Sequence, residues 1–327
     1  MKSSLVIAFI LTTLYSYSQA PVYPTSFTVA KDGTGNYKTI QEAVNAVRDL
    51  SQQQVKIFIK KGVYNEKIVV PSWKTNITLV GENKDSTIIT WNDYSGKLYK
   101  NGNDAFGKDK FSTFTSYTLL VEGNDFTAKN LTIQNTAGRV GQAVALHVEG
   151  DRCTIENCRL LGNQDTLYAA VEGSRQYYKD CYIEGTTDFI FGEATAVFDN
   201  CVIKNLVNSY IAAASTRPGH KYGYVFLNCK LIADTAAKKV FLGRPWRPYA
   251  KTVYINCNMG AHILKEGWDN WKNPDNEKTA FYAEYNSFGP GGNITSRAKW
   301  SKQLTKKEAA EYTLKNIFSG TNDWLPE

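Results

Sequence analysis

A short motif recurs through the middle of this 327-residue chain and constrains its fold more than any other feature. Each copy consists of Asn or Asp, then Cys or Leu, then any residue, then an aliphatic residue or Met. Successive copies are 20 to 28 residues apart and begin at positions 130, 157, 180, 200, 228 and 256. A motif that returns at intervals in the twenties is typical of the coils of a solenoid.

The segments between the copies have the pattern of short β-strands. They alternate apolar and polar residues over short runs rich in Val, Ile, Thr and Tyr, with Gly and Asn between the runs. A leucine-rich repeat needs a tighter Leu pattern, and a propeller blade needs about 40 residues. We therefore predict an all-β fold, a right-handed parallel β-helix with short capping helices at both ends.

Two sequence signals predict those caps. The tetrapeptide TIQE at 39–42 has the pattern of a capping box, and apolar residues follow at helical spacing, so a helix is predicted over residues 39–50. The tetrapeptide TKKE at 305–308 has the same pattern and predicts a second helix that ends at about Leu314. Both helices would cover the exposed ends of a solenoid core.

The start of the chain has the pattern of a secretory signal. A lysine is followed by an apolar run over residues 5–14, and cleavage of the signal is favoured after Ser18. Cleavage after Ala20 is the alternative, which is less favoured because proline would then be the first residue of the mature protein. Residues 19–327 contain no linker long enough to divide them, so one domain is expected. We expect a secreted or periplasmic protein.

Composition excludes some classes of partner. The net charge of +7 is spread along the chain, and no block rich in Lys or Arg suggests binding to nucleic acid. No stretch after the signal is long and apolar enough to predict a membrane span. We expect a monomer that is either a mildly basic soluble protein or one that prefers an acidic polymer.

Five of the six cysteines share one position of the motif. Because stacked coils lie about 4.8 Å apart, these cysteines should form a column that faces inward. The column fits a ladder of buried thiols, but disulfides between Cys158 and Cys181 or between Cys201 and Cys229 are also compatible with it. No Cys-x-x-Cys is present and the three histidines are scattered, so no metal site is predicted.

Two carboxylates stand out in the segment 162–192. Asp165 and Asp188 are 23 residues apart, and Gln142 lies 23 residues before Asp165. On stacked coils the three should form one column. Carboxylates about 5 Å apart push their pKa values away from each other, which leaves an ionised nucleophile beside a protonated general acid.

Several blocks resemble, in order, the signature segments of pectin methylesterases. They are DGTGNYKTIQEAV (32–44), GVYNE (62–66), TFTSYTLLVEGNDFTAKNLTIQNTAG (113–138), GQAVAL (141–146), GNQDTLY (162–168), GTTDFIFG (185–192), LGRPW (242–246) and LTKKEAAEYT (304–313). The resemblance covers nearly the whole chain after the signal. His147 stands where Arg is common in the family and Thr187 where Val is common, and neither is a catalytic position.

The resemblance implies a parallel β-helix that hydrolyses the methyl esters of homogalacturonan (pectin) to methanol and de-esterified pectin, without a cofactor. It makes Asp188 the nucleophile and Asp165 the general acid, which then becomes the base that activates water. Gln142 and Gln164 would donate hydrogen bonds to the oxyanion, and Arg244 would pair with Asp188.

The resemblance also implies a set of substrate-binding residues, namely Thr113, Gln142, Tyr168, Phe191, Arg244 and Trp246. Other interpretations stay open for most of these side chains. The two glutamines could form an amide ladder between coils, and Arg244 could form an ion pair that is only structural. Trp246 could simply pack against its neighbours. Tyr168 and Phe191 could lie in the core as well as in the substrate groove. For Trp268 and Trp271 packing is favoured, and the histidines are expected on the surface or in satisfied sites.

Other functions fit the same fold. A polygalacturonase would need Asp-Asp and Gly-His-Gly elements, which we do not find, and a pectate lyase would need a calcium-binding carboxylate cluster. A binding solenoid without catalysis, and another carbohydrate ester or thioester hydrolase, are the remaining alternatives. We expect basic residues to flank the groove, so that activity on partly de-esterified pectin falls as salt rises.

Overall fold

The computed structural model describes residues 22–100, 102–320 and 323–326, which form the predicted parallel β-helix. Three long sheets, here called A, B and C, run along the molecule, and the strand pairs within them are parallel. In the central part of the chain each coil adds one strand to sheet B, then one to sheet C, then one to sheet A. The interior between the sheets holds the main hydrophobic core.

The strands are numbered in chain order. Sheet A contains β1 (Ser26–Val29), β2 (Val55–Ile59), β5 (Ile77–Gly81), β8 (Thr127–Lys129), β11 (Cys153–Glu156), β14 (Arg175–Lys179), β17 (Thr195–Asp199), β20 (Tyr224–Leu227), β23 (Lys251–Ile255), β25 (Phe281–Tyr285) and β26 (Lys302–Gln303). Sheet B contains β3 (Gly62–Asn65), β6 (Thr87–Trp91), β9 (Thr132–Asn135), β12 (Arg159–Leu161), β15 (Tyr182–Gly185), β18 (Val202–Asn205), β21 (Lys230–Ala233) and β24 (Asn258–Met259). Sheet C contains β4 (Ile68–Val70), β7 (Leu119–Val121), β10 (Leu146–Val148), β13 (Leu167–Ala169), β16 (Ile190–Gly192), β19 (Tyr210–Ala214) and β22 (Phe241–Gly243).

The recurring Asn or Asp marks the turn from sheet A to sheet B. These residues adopt the left-handed backbone conformation, which Asn and Asp tolerate better than other residues with a Cβ atom. Their φ angles lie between 49° and 58° at Asn130, Asn157, Asp180, Asn200, Asn228, Asn256 and Asn286. The side chains also bond between coils, as in the 2.8 Å hydrogen bond from Asn157 to Asn130. Backbone geometry therefore sets the first residue of the motif, and the same left-handed turn recurs on one further coil, at Asn286, where the rest of the motif is absent.

The cysteine column lies in the interior of the β-helix. All six cysteines are buried and carry free thiols, so neither of the compatible disulfides is formed. Each thiol of the column approaches backbone carbonyl groups; the Sγ atom of Cys181, for example, lies 3.2 Å from the carbonyl oxygen of Ile155. The ladder of buried thiols is the arrangement that the structure contains.

The N-terminal helix α1 (Ile40–Ala46) begins where predicted but ends early. Thr39 and Glu42 form the reciprocal hydrogen bonds of the capping box. The predicted extension to residue 50 is wrong, because the N–H of Leu50 donates to the carbonyl oxygen of Trp73 at 2.7 Å and Leu50 itself takes a φ of 50°. The chain thus leaves the helix to join the first coils.

The predicted C-terminal helix also begins where expected but ends before Leu314. Helix α3 (Lys306–Ala309) begins at the predicted capping box of Thr305. A separate helix, α4 (Leu314–Ile317), follows because Thr313 caps a new start by accepting the N–H of Asn316. The remaining helical pieces are α2 (Asn276–Thr279) and a 3-10 turn (Thr113–Thr115).

The division of the chain stays a prediction. The proposed signal segment and its cut lie outside the described residues. Within the residues that the structure describes, no helix is long and apolar enough to cross a membrane.

Candidate active site

The site forms where the chain passes from sheet B to sheet C on successive coils. Asp165 follows β12 and Asp188 follows β15. The N–H of Asp165 donates to the carbonyl oxygen of Thr187 at 3.1 Å, which continues the register of the adjacent strands, where Leu167 pairs with Ile190. The two aspartates are therefore neighbours on adjacent coils, at the predicted spacing of 23 residues.

Gln142 does not belong to that column, which corrects the prediction. It pairs with Gln164 in an isolated parallel bridge, and the N–H of Ala143 donates to the carbonyl oxygen of Gln164 at 3.1 Å. The turn before β10 is longer than the turn before β13, so equal spacing along the chain does not give equal position here. The outcome is that the two glutamines lie side by side on neighbouring coils.

Backbone geometry fixes the two carboxylates. Asp165 and Asp188 both have left-handed φ angles, 64° and 48°. In the second turn a Cβ atom at Gly185 would lie 2.2 Å from the Cβ of Phe189, so only glycine fits there. Phe189 is fully buried in the core, and this anchor explains why an apolar residue directly follows an active-site aspartate.

Arg244 holds Asp188 in a bidentate ion pair. Its Nε lies 2.9 Å from Oδ1 and its Nη2 lies 2.6 Å from Oδ2. The guanidinium is enclosed between two aromatic rings, with its central carbon 3.8 Å from the ring centre of Tyr210 and 3.7 Å from that of Trp271. A planar cation between two ring faces loses most of its freedom to move, so the carboxylate is held as well.

The two aspartates differ in their electrostatic environment. Burial and, to a smaller extent, the negative charge of Asp188 raise the pKa of Asp165 to about 8, although the positive charge of Arg244 opposes this rise. Burial also raises the pKa of Asp188, but hydrogen bonds from Arg244 work against that rise. No side-chain hydrogen bond reaches the Asp165 carboxyl group from the described residues, so Asp188 is the group that ionises first.

A cavity of about 220 Å³ joins these side chains. It is lined by Thr113, Phe114, Gln142, Gln164, Asp165, Asp188, Phe191, Ala213, Arg244, Trp246 and Trp271. Eight of the nine residues predicted for the site are in this lining. The ninth, Tyr168, lies beside the cavity and stacks on Phe191 with ring centres 4.5 Å apart.

Sequence reasoning missed part of the site. Phe114 lies next to the predicted Thr113 within a family-like block, so adjacency was a usable signal. Trp271 was assigned to packing together with Trp268; the structure separates them, since Trp268 is buried in the core and Trp271 lines the cavity. Tyr210 carried no sequence signal, because its role depends on a contact with Arg244, which follows the next strand of sheet C and is 34 residues later in the chain.

The two departures from the family pattern lie near the site. His147 is buried, with its Nε2 2.9 Å from Oε1 of Glu149 and its ring 4.5 Å from that of Tyr168. Thr187 accepts a hydrogen bond from the Ser209 hydroxyl at 2.8 Å.

The other histidines lie apart from the cavity. His220 pairs with Glu172 at 2.9 Å, and burial lowers the pKa of His262 to about 4. No group of metal-binding side chains is present among the described residues.

A parallel β-helix whose cavity joins two buried carboxylates, an arginine and aromatic faces belongs to the class of carbohydrate-active hydrolases. Comparison with known proteins identifies the family within that class. A family model described as Pectinesterase matches residues 26–321. Pectinesterase 31 of Arabidopsis thaliana is 38% identical over 302 residues, which cover 91% of this chain and 94% of the relative.

Solved structures agree with the sequence comparison. Pectin methylesterase from carrot superposes with a TM-score of 0.80 at 34% identity and covers 92% of this chain and 94% of its own. A pectin methylesterase in complex with hexasaccharide VII superposes with a TM-score of 0.77 at 31% identity, over 94% of this chain and 100% of its own. Some relatives, such as probable pectinesterase/pectinesterase inhibitor 13 of Arabidopsis thaliana, are longer, and this chain spans 48% of that one.

The chain belongs to the pectinesterase family. It is a carboxylic ester hydrolase that removes methyl esters from pectin.

Proposed function

We propose that the enzyme hydrolyses the methyl esters of homogalacturonan with Asp188 as nucleophile and Asp165 as general acid and base. The observation that carries this assignment is the unequal environment of two adjacent carboxylates. Arg244 holds Asp188 through both oxygens, while burial and the charge of Asp188 keep a proton on Asp165.

In the first half of the reaction an oxygen of Asp188 attacks the C6 carbonyl carbon of a methyl galacturonate residue. The carbonyl oxygen becomes an oxyanion, and the side-chain amides of Gln142 and Gln164 donate hydrogen bonds to it. The bond between C6 and the methoxyl oxygen then breaks, and Asp165 gives its proton to that oxygen, so that methanol leaves. C6 is now joined to Asp188 as an anhydride.

In the second half Asp165 is ionised and acts as a base. It takes a proton from a water molecule, whose oxygen attacks C6. The bond between C6 and Asp188 breaks, which restores both aspartates and releases a galacturonic acid carboxyl group, and this group gives its remaining proton to the solvent. Asp165 and water carry the protons while Asp188 carries the acyl group, so the sequence of steps requires no cofactor.

The neighbouring side chains support this assignment. Gln142 and Gln164 lie side by side in the cavity lining, and loss of one oxyanion donor typically lowers the rate about 10² to 10³-fold. Phe191 and Trp246 offer aromatic faces on which a sugar ring can pack, with their ring centres 5.9 Å apart. Thr113 supplies a hydroxyl at the same cavity.

We further propose that the protein is exported after a cut at Ser18, acts as a monomer and binds neither nucleic acid nor membrane. The pattern of residues 1–18 and the dispersed charge support these assignments. Fractionation of cells that express the full chain, with N-terminal sequencing of the exported form, tests the cut.

Product analysis tests the proposed reaction against the alternatives. Highly methylated pectin is incubated with the enzyme in the presence of a chelator, and both methanol and new chain ends are measured. Methanol without new reducing or unsaturated ends is the expected result. New chain ends would instead indicate cleavage of the polymer backbone by a polygalacturonase or lyase, and inhibition by the chelator would indicate a metal requirement.

A further inference from the structure

One coil beyond Arg244 the chain carries a carboxylate that the proposed mechanism does not use. Gly243 pairs with Trp268 in a parallel bridge, which continues sheet C for one further coil. The N–H of Asp269 donates to the carbonyl oxygen of Gly243 at 3.2 Å. Asp269 follows Trp268 as Arg244 follows Gly243, so the two charged residues are neighbours on adjacent coils.

The side chain of Asp269 holds the backbone of Trp271. Its Oδ1 accepts the N–H of Trp271 at 2.7 Å, which closes an Asx turn. Trp271 and Lys272 both have left-handed φ angles, 58° and 55°. Residues with a Cβ atom rarely adopt this conformation, and two in succession need support from their surroundings. The hydrogen bond to Asp269 supplies part of that support.

The position of Trp271 matters because its ring covers one face of Arg244. The guanidinium carbon lies 3.7 Å from the ring centre of Trp271, and the same ring lines the catalytic cavity. Arg244 in turn binds both oxygens of Asp188, at 2.9 and 2.6 Å. A path of direct contacts therefore leads from Asp269 through Trp271 and Arg244 to the proposed nucleophile.

The charge of Asp269 acts on the same ion pair. Burial raises the pKa of Asp188, the hydrogen bonds and charge of Arg244 oppose this rise, and the negative charge of Asp269 adds to it. Burial lowers the pKa of Arg244, but hydrogen bonds and charge from Asp188 raise it above its ordinary value, and Asp269 contributes to that rise. The titratable groups that act on Asp188 or respond to its charge are Asp165, Tyr210, Arg244, Asp269 and Tyr282.

We propose that Asp269 is a positioning residue for the reaction, which holds the Trp271 ring against Arg244 and gives that arginine a second negative neighbour. Asp269 is not in the cavity lining, so its effect on the nucleophile passes through these neighbours. The inference rests on the proposed function, because the ion pair that it supports is that of the proposed nucleophile, Asp188.

Two substitutions of Asp269 separate its hydrogen bond from its charge. Asp269→Ala removes both, and kcat on highly methylated pectin should fall about tenfold because the ring is no longer held on the guanidinium. Asp269→Asn keeps an oxygen that accepts the N–H of Trp271, so it should retain most of kcat. An alanine variant with wild-type kcat, or an asparagine variant as impaired as the alanine variant, would overturn the proposal.

The pH profile of Asp269→Asn tests the role of the charge. Loss of a negative neighbour makes Asp188 easier to ionise, so its pKa falls. Because the nucleophile reacts in its ionised form, the acid limb of kcat/KM should move to lower pH in this variant. An acid limb that stays in place would show that Asp269 does not act on the ion pair through its charge, which contradicts that part of the proposal.

A double-variant comparison tests whether Asp269 acts through Trp271. Once Trp271→Leu has removed the ring, adding Asp269→Ala should lower kcat by no more than about twofold, since coupled residues are not additive. A further tenfold loss would show independent action and would overturn the proposal. Asp275→Ala is the matched control, because it removes an exposed aspartate of the same connection that pairs with Lys278, and it should keep wild-type kcat.

Near-ultraviolet circular dichroism reports the position of the ring without catalysis. The spectrum of Asp269→Ala should shift from that of wild type toward that of Trp271→Leu, while Asp269→Asn should keep the wild-type spectrum. If wild type releases no methanol but this shift is observed, the proposed reaction fails and the positioning of Trp271 by Asp269 stands. A wild-type spectrum in Asp269→Ala would exclude the positioning role whatever the activity.

Discussion

Asp165 and Asp188 lie on adjacent coils but have different neighbours, and this difference assigns their roles. Arg244 binds both oxygens of Asp188, while Asp165 is buried without a side-chain hydrogen bond from the described residues. Like charges in one site cannot both be ionised cheaply, so the proton stays on the carboxyl group that lacks the cation.

The raised pKa of Asp165 predicts how activity depends on pH. Asp165 keeps its proton up to about pH 8 and loses it above that value, and only the protonated form can give a proton to the departing methoxyl oxygen. Methanol release by wild type should therefore fall as pH rises through about 8. Initial rates across this range, corrected for the alkaline background with Asp188→Asn, check the prediction; a rate that still rises well above pH 8 would contradict it.

Folding gives a second readout of the same pKa. In the unfolded chain Asp165 ionises near its ordinary pKa, so between that value and about 8 the folded state binds more protons and stability falls as pH rises. Asp165→Asn removes this dependence. Its stability relative to wild type should increase from pH 4 to pH 8, by up to about 1.4 kcal/mol per pH unit. A constant difference in denaturant unfolding would show that the pKa is not raised.

The aromatic enclosure of Arg244 predicts a positioning role for Tyr210. Tyr210→Leu removes one ring from the guanidinium, so Asp188 is held less firmly and kcat should fall about tenfold. Tyr210 is not in the cavity lining, so KM should change little. Steady-state kinetics of Tyr210→Leu and Tyr210→Phe check this, because the Phe variant keeps the ring face and should restore most of kcat; equal loss in both would exclude the enclosure as the cause.

At the level of elements, the left-handed turns between sheets A and B account for the repeat. Asn228→Ala places an ordinary Cβ residue at a φ of 54° and should lower the free energy of unfolding by about 1–2 kcal/mol. Asn228→Gly should cost less, because glycine adopts this conformation without strain. Urea unfolding of both variants compares them directly, and an alanine variant as stable as the glycine variant would refute the backbone explanation.

The same turns show why much of the fold was predictable from sequence. A left-handed turn on every coil favours Asn or Asp at the same place, and one inward position on every coil favours a small apolar residue, so the repeat and the cysteine column could be predicted from the sequence. The spacing of Asp165 and Asp188 was reliable because the strands that follow them keep the same offset. Gln142 was misplaced because a longer turn precedes β10, and turn length shifts register without leaving a periodic signal.

The remaining differences between the sequence-based predictions and the structure lie in loops. Trp271 lies in a connection with a left-handed φ of 58° and contacts Arg244 from a different coil. No periodicity links such residues, so sequence alone could not separate Trp271 from the buried Trp268. The early end of α1 has a similar origin, since a backbone hydrogen bond from Leu50 to Trp73 decides it.

For the whole molecule, the reactivity of the buried cysteines measures how well the folded β-helix excludes solvent from its interior. All six thiols are free and inside, so the native protein should react slowly with a thiol reagent, and the denatured protein without reductant should titrate six thiols. Ellman's reagent measures both values. Only two thiols after denaturation would instead indicate that the two coil-to-coil disulfides compatible with the sequence do form.

The central claim concerns two aspartates, and one comparison tests it most directly. Methanol release from highly methylated pectin is measured for wild type, Asp188→Asn and Asp165→Asn, with Asp85→Asn as a matched control at an exposed carboxylate that pairs with Arg159. We predict wild-type activity in the control and a loss of at least about 10³-fold in each of the other variants, since each removes a group that forms or breaks a bond in the reaction. Substantial methanol release by folded Asp188→Asn would contradict the assignment of the nucleophile and with it the proposed mechanism.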